Sequence, residues 1–224
     1  MTDKVLFITG ASSGIGAETA RRAAKEGWRV ALFARSEDKL GALAAEIGDA
    51  ALSVPGDVTD LASLKSAISR TVQEFGQIDA VYANAGTGLD TPGVENGDPE
   101  EWRGMIDLNV IGVLYTMKAA YAELKKAKGH LVLTGSVAGK VHISGSIYGA
   151  SKWFVQGLAG NMAQEMREWG GRCTLVAPGM VDTPFFDEPK PDKLKPVDVA
   201  NAVVYALGQP AHANVQEIVV MPAG

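Results

Sequence analysis

Short apolar runs and amphipathic helical segments alternate along the whole chain, and that alternation leaves few folds open. Residues 5–9, 29–34, 51–54, 79–83, 130–134, 173–177 and 217–221 read as strands. Residues 15–26, 37–47, 61–75, 100–126, 146–169 and 196–207 carry apolar side chains at helical spacing. Strict β and α alternation predicts a parallel sheet covered on both faces, a doubly wound α/β fold. Sheets wound this way take ligands at the carboxyl ends of their strands. The 224 residues contain no internal repeat, low-complexity tract or composition break, so 1–224 reads as a single domain. Segments 87–99 and 180–195 are the least regular. The second carries Pro184, Pro189 and Pro191 and reads as a loop that covers something.

Composition narrows the class of partner. A formal net charge of −5 with no basic block argues against nucleic acid. The one cysteine, Cys173, excludes an internal disulfide framework and fits a reducing compartment. No run of eighteen apolar residues predicts a membrane span, and the apolar stretch at 5–8 is too short for a signal-peptide core. The expectation is a soluble cytoplasmic protein. His130 and His212 have no companions at ligand spacing, and no metal site is expected.

Directly after the first strand stands Thr9-Gly10-Ala11-Ser12-Ser13-Gly14-Ile15-Gly16, with a helix opening inside it. Glycines there let the backbone approach a pyrophosphate, and a helix N-terminus offers oriented N–H groups. The spacing is G-x-x-x-G-x-G and not G-x-G-x-x-G, and its place at the first βα corner points to dinucleotide binding. At the end of the second strand an acid favours NAD, and an arginine accommodates the extra phosphate of NADP. Here Phe33-Ala34-Arg35-Ser36 offers Arg35, so NADP is expected, with NAD left open. Glu37 and Asp38 follow Ser36, a helix N-cap candidate, as ordinary dipole partners. Asp57 and Val58 follow the third strand, and Asn84, Ala85 and Gly86 the fourth. Asp57 suits an adenine amino group or a plain turn. Asn84 suits the crevice or a side-chain tie between strands.

The stretch from Gly135 to Lys152 carries the chemistry. Ser136 sits where a strand ends, and Tyr148 and Lys152 stand one helical turn apart on a shared face. A free tyrosine titrates near ~10, and a neighbouring lysine charge favours its phenolate. A serine hydroxyl beside it can hold a carbonyl or hydroxyl oxygen. Tyr-x-x-x-Lys alone is a weak signal, since helices produce it by chance.

Taken together and in order, these motifs make the chain resemble the short-chain dehydrogenase/reductase family over nearly its whole length. The residues that carry the likeness are Thr9 to Gly16, Asn84-Ala85-Gly86, Asn109, Ser136, Tyr148, Lys152 and Pro178-Gly179-Met180-Val181-Asp182-Thr183. The resemblance implies a Rossmann-like fold with a seven-stranded parallel sheet, and reversible hydride transfer between a nicotinamide cofactor and an alcohol, ketone or aldehyde. It makes Tyr148 the general acid/base, Lys152 the holder of the ribose hydroxyls that lowers the tyrosine pKa, and Ser136 the group that orients substrate. It gives Asn109 a backbone carbonyl holding a water, and sets Pro178, Gly179, Val181 and Thr183 against the carboxamide. It also implies a homo-oligomer, tetramer or dimer, packed through helices 100–126 and 146–169.

Some features depart from the family pattern. Ser136 precedes Tyr148 by twelve residues where many relatives have thirteen, and only about a dozen residues separate Thr183 from the helix at Pro196. A short cover suggests an open site and a small or polar substrate. With the 216–222 ending it is similar to the broad-range subgroup acting on 3-hydroxy acids, serine or small aldehydes. His142 either touches substrate or is an exposed loop residue, and Phe185 and Phe186 either cap the nicotinamide or anchor the loop. Two other classes compete. A non-catalytic NADP sensor has no need of Ser136, Tyr148 and Lys152, and an epimerase of nucleotide sugars is expected to add a C-terminal region.

Overall fold

The computed structural model describes residues 4–91, 93–186 and 188–223. β1 (Val5–Thr9), β2 (Arg29–Ala34), β3 (Ala51–Pro55), β4 (Ala80–Ala83), β5 (His130–Thr134), β6 (Arg172–Pro178) and β7 (Glu217–Val220) form one parallel sheet in the order β3-β2-β1-β4-β5-β6-β7. The chain winds outward from β1 to β3, then returns to β4 on the other side of β1. That reversal opens a crevice above the carboxyl ends of β1 and β4.

Alternate side chains of each strand face opposite layers. Phe7, Val81, Leu131 and Leu133 pack with Leu64 of α3 (Leu61–Phe75), Ala120 of α5 (Gly112–Ala127) and Met162 of α6 (Ile147–Arg167). Leu6, Ile8, Leu32 and Tyr82 pack with Ala20 of α1 (Gly14–Lys25), Leu40 of α2 (Glu37–Ile47) and Val203 of α7 (Pro196–Leu207). The central strands are apolar on both faces for this reason.

The helix expected over 100–126 is not continuous. α4 (Pro99–Ile106) passes into a π-helical turn at Asp107–Ile111 before α5 begins. The N–H of Gly112 reaches back to Asp107 O, one residue further than an α-helix allows. β4 starts at Ala80, one residue later than expected; Asp79 before it still bonds Val5 O and His130 N through its backbone, and its Oδ2 accepts from Val5 N at 2.7 Å.

His130 is buried at the start of β5, with its Nε2 2.7 Å from Thr174 Oγ1. Thr174 gives its own proton to Val215 O, so Nε2 carries the imidazole hydrogen and Nδ1 is left as a bare, unpartnered lone pair. Burial, and then the Arg172 guanidinium, push this imidazole down to about 3. The unfolded chain takes up a proton near ~6.5 and the folded chain resists it, so stability is full above that pH and falls toward pH 3. Each unit of difference is worth about 1.4 kcal/mol, which makes the acid loss several kcal/mol. His130→Gln, which keeps a donor toward Thr174, is expected to flatten the decline of melting temperature between about pH 6.5 and 4.5. Thermal melts of both proteins across that range check it.

Candidate active site

The crevice above the sheet is a cavity of about 1000 Å³. Gly10, Ser12, Ser13, Gly14 and Ile15 line one end, beside Arg35, Asp57 and Val58. Asn84, Ala85 and Gly86 line the middle, and Ser136, Tyr148 and Lys152 the other end, with Pro178, Gly179, Val181 and Thr183 on the wall. Of the residues singled out from sequence, Gly16 and Asn109 stand behind the lining and support it.

Backbone geometry builds the first end. Gly10 and Gly14 have φ of +66° and +53°, a region open to glycine at no steric cost. A methyl group on Gly16 would meet Gly10 O at 2.2 Å, so the loop closes this tightly only without one. Ser13 stands at the N-cap of α1, yet its hydroxyl makes no cap bond, and the first turn holds no acid. The N–H groups and the positive end of the helix therefore face the cavity, as an anion requires. Arg35 is exposed at this end and forms no ion pair among the described residues. A glycine-lined turn, an unused hydroxyl, a free guanidinium and room for a dinucleotide together fit a phosphorylated nicotinamide cofactor. Asp57 meets both readings: it lines the cavity, and its Oδ1 accepts from Thr59 N and Oγ1, each at 2.9 Å, in a side-chain turn.

Asn84 ties strands together. Its Nδ2 donates to Thr9 O at 3.2 Å and Gly10 O at 3.4 Å, and its Oδ1 lies 3.1 Å from Thr134 Oγ1. Its amide group is thus committed to β1 and β5. What it leaves to the cavity is its backbone.

At the other end, Ser136 accepts a hydrogen bond from Ala138 N at 3.1 Å and starts a 3₁₀ turn at Val137–Gly139. Tyr148 is the second residue of α6, whose N-cap Ser146 accepts from Gly149 N at 2.9 Å. Lys152 follows one turn later, its Nζ donating to Thr134 O at 3.1 Å and standing 5.7 Å from the Tyr148 ring centre. Sequence alone suggests that the lysine charge draws the phenol down. Burial dominates instead. It pushes Tyr148 up to about 12, against the Ser136 hydroxyl, and pushes Lys152 down to about 8. Burial favours the neutral form of both side chains.

Asn109, buried in the π turn, accepts from Thr87 N and donates to Thr87 O, both at 2.9 Å. Its Nδ2 also reaches Ser151 Oγ at 3.2 Å, and that hydroxyl donates to Tyr148 O at 2.7 Å. Thr134 and Ser151, which hold Lys152 and brace Tyr148, carry no motif of their own. The signal for Ser151 is its spacing, three residues after Tyr148 on the same helix. His142 stacks on Trp153 at 5.4 Å and does not line the cavity. The 180–195 segment is pinned at its base, where Asp182 accepts from Lys190 N at 2.8 Å and Lys195 Nζ at 2.9 Å. Among the described residues no cluster of His, Cys, Asp and Glu suits a metal ion.

A doubly wound sheet with a glycine anion cradle at its switch point defines a dinucleotide-binding protein, and the Ser, Tyr and Lys groups give its cleft the means for acid/base work. Residues 4–194 match the short chain dehydrogenase family, and the chain belongs to it. It is 38% identical to an uncharacterized oxidoreductase of Staphylococcus saprophyticus, over 99% of this chain and 98% of that protein. It is similar to an alcohol dehydrogenase from the archaeon Thermococcus sibiricus complexed with 5-hydroxy-NADP, at 33% identity and a TM-score of 0.91, over 98% of this chain and 97% of that one. It is also similar to serine dehydrogenase from Escherichia coli, at 30% identity and a TM-score of 0.89, over 97% of each chain. The protein is an oxidoreductase of this family.

Asn109→Ala leaves Thr87 N–H and C=O without partners beneath the cavity floor. A loss of about 1–2 kcal/mol in unfolding free energy is expected, since Thr87 is exposed and water can take up its backbone groups, and a typical hydrogen bond contributes about 0.5–1.5 kcal/mol. Urea unfolding of the variant and the parent measures it.

Proposed function

We propose that the protein is an NADP-dependent oxidoreductase that transfers a hydride between nicotinamide and a small hydroxyl/carbonyl substrate (an aldehyde, a ketone or a 3-hydroxy acid), with Tyr148 as general acid/base. The observation that carries this reading is the convergence of Ser136, Tyr148 and Lys152 on the same cavity as the glycine cradle. Gly10 to Gly16 and the start of α1 would hold the pyrophosphate, and Arg35 the additional phosphate that distinguishes NADP. Asp57 and Val58 would flank the adenine. Lys152 would hold ribose hydroxyls, with Pro178, Gly179, Val181 and Thr183 beside the carboxamide.

Bound there, nicotinamide supplies the carbonyl carbon with a hydride, two electrons and one hydrogen, or takes it back from the alcohol. The substrate oxygen is oriented by the Ser136 hydroxyl. Burial keeps Tyr148 a neutral phenol at physiological pH, which is the form that donates a proton to a carbonyl oxygen as its π bond breaks. Carbonyl, hydride and proton then sum to the alcohol. In oxidation the phenolate accepts that proton, and Lys152 beside it favours the charged form whenever the ammonium is protonated. Asn109 and Ser151 hold the Tyr148 backbone, and the π turn at Asn109 is a candidate path for a water that restores the proton.

We further propose a cytoplasmic location and a homo-oligomer, as tetramer or dimer, packed through α5 and α6. Cys173, buried and with its thiol pushed up to about 12 by that burial, suits a reducing compartment. No described helix is long and apolar enough to cross a membrane. Trp153 and Phe154 leave apolar surface exposed on α6, which supports its use as an interface.

Initial rates at 340 nm with NADPH and a panel of aldehydes, ketones and 3-hydroxy acids test the activity. Tyr148→Phe is expected to lower kcat by about 10²–10⁴-fold while cofactor affinity stays within about threefold. Retained turnover would remove Tyr148 from the role. Arg35→Asp is expected to weaken NADPH about 10–100-fold and NADH far less, since a charge-assisted phosphate contact is worth about 1.5–3 kcal/mol. Fluorescence titration with each cofactor reads the difference, and equal losses would sink the phosphate contact.

A further inference from the structure

The two ends of the cavity differ in charge. Among its described lining residues the charged groups are Arg35 and Asp57, at the cradle end, and Lys152. Around the reacting end stand Leu89, Ile143, Met180, Phe185 and Phe186, with Gly88 between them. Ile143, Met180 and Phe185 are 52%, 52% and 42% exposed, so an apolar rim surrounds the mouth beside Tyr148.

Phe185 is the centre of that wall. Its ring lies edge-on to Tyr148, centre to centre 5.6 Å at 61°, and 5.1 Å from Phe186. Gly88 makes the room: a methyl group there would come 3.0 Å from Phe185 Cζ. The ring is thus held against the catalytic phenol by a neighbour without a side chain.

Of the cations in the flanking loops, Lys193 does not line the cavity and the others have partners. Lys140 pairs with Glu217, and Lys195 is held by Asp182 and Pro191 O. Lys190 stands 3.8 Å from Glu188 and over the Phe186 ring. Lys152 donates to Thr134 O and carries the ribose role in the reading above. Pro92 and Asp187, outside the described residues, bring no positive charge. With Ser136 and Tyr148 given to the reacting oxygen and Lys152 to the ribose, a separate carboxylate entering this end would lose water without a cation of its own, which disfavours it.

We infer that the substrate is a neutral ketone, aldehyde or alcohol with an apolar flank that packs on Phe185, and that Phe185 and Gly88 determine its specificity. This rests on the oxidoreductase reading and narrows its substrate class, against hydroxy acids and amino acids. An aromatic or branched group would lie on the Phe185 face, and the oxygen would point to Ser136 and Tyr148. Edge-to-face packing and apolar area favour such a group over a short chain.

NADP⁺ has no hydride to give a ketone, so ligand binding to the NADP⁺-loaded protein is measurable without turnover. Isothermal calorimetry would compare acetoacetate with its neutral methyl ester, and then phenylacetone. The ester is expected to bind at least about tenfold tighter than the anion. Phe185→Ala and Gly88→Ala are each expected to weaken phenylacetone at least about fivefold more than they weaken methyl acetoacetate, the scale of a changed apolar contact. Acetoacetate binding as tightly as its ester, or equal weakening of both ketones in both variants, would overturn the inference. Rates with NADPH separate the two readings. If the ester and phenylacetone bind as expected but neither is reduced, the neutral pocket stands and the proposed hydride transfer to small carbonyl substrates falls. Turnover that favours acetoacetate keeps the assignment and overturns the pocket.

Discussion

One hydrogen-bonded chain joins the two halves of the cavity, and the rest of the site hangs from it. Lys152 Nζ donates to Thr134 O, Thr134 Oγ1 lies against Asn84 Oδ1, and Asn84 Nδ2 donates to Thr9 O and Gly10 O. Thr9 Oγ1 in turn accepts from the backbone N–H of Asn84 and Ala85, at 3.0 and 3.2 Å. These groups lie where β1, β4 and β5 end and their connections diverge, so the backbone there cannot satisfy itself through sheet pairing. Side chains from the strand ends close the gap. The same bonds fix the distance between the glycine cradle and the lysine, which a ligand spanning both ends needs to be constant. Tyr82, fully buried below, adds its hydroxyl 2.8 Å from Thr134 Oγ1 and anchors the chain in the core.

Electrostatics at the reacting end follows from the same packing. Lys152 is buried where it reaches Thr134 O, and that burial lowers its affinity for a proton to about 8. Burial likewise raises the pKa of Tyr148. The pair is therefore a neutral phenol beside an ammonium that keeps most of its charge at neutral pH, rather than a preformed phenolate and ammonium. A neutral phenol is an acid in waiting, and an ammonium that titrates near the working pH can respond to charge brought beside it. The geometry that aligns these groups is supplied by α6, whose N-cap Ser146 fixes where the helix starts. Ser151 and Asn109 then brace its first turn from behind.

Much of this was legible in the sequence, and the exceptions share a cause. Strand and helix positions follow from apolar periodicity, which is local, and α3 and α7 begin and end where it predicts. The cradle and the Tyr148/Lys152 pair are local as well, being set by residues within one turn or one helix face. The π turn was not legible, because Asn109 bonds Thr87, 22 residues away, and nothing in the spacing of 100–126 reveals that partner. Asn84 stayed ambiguous for the same reason: Thr9 and Thr134 lie 75 and 50 residues off. The direction of the Tyr148 shift also escaped, since spacing reports a neighbouring charge but not the burial that outweighs it. His142 was left between two roles, and its stacking on Trp153 settles its position outside the cavity lining.

The two ends of the cavity are built from different parts of the chain. The backbone of the cradle end is held by the glycine turn and by bonds between strand ends, so it moves only if the sheet moves, while the Arg35 side chain there is exposed and, among the described residues, free. The other end has a floor of Ser136, Tyr148 and Lys152, but its walls come from residues 87–89, 143–146 and 180–186. The loops that hold them touch each other at few points, among them Gly93 N to Gly145 O at 2.8 Å and the Phe185 contact over Gly88. Loops of this kind change side chains without disturbing the sheet, so chemistry and specificity are set by different parts of the chain. The apolar wall also bears on the phenol itself: the Phe185 ring, 5.6 Å from that of Tyr148, takes the place of water along one edge of it, and less polar surroundings favour a neutral phenol over a phenolate.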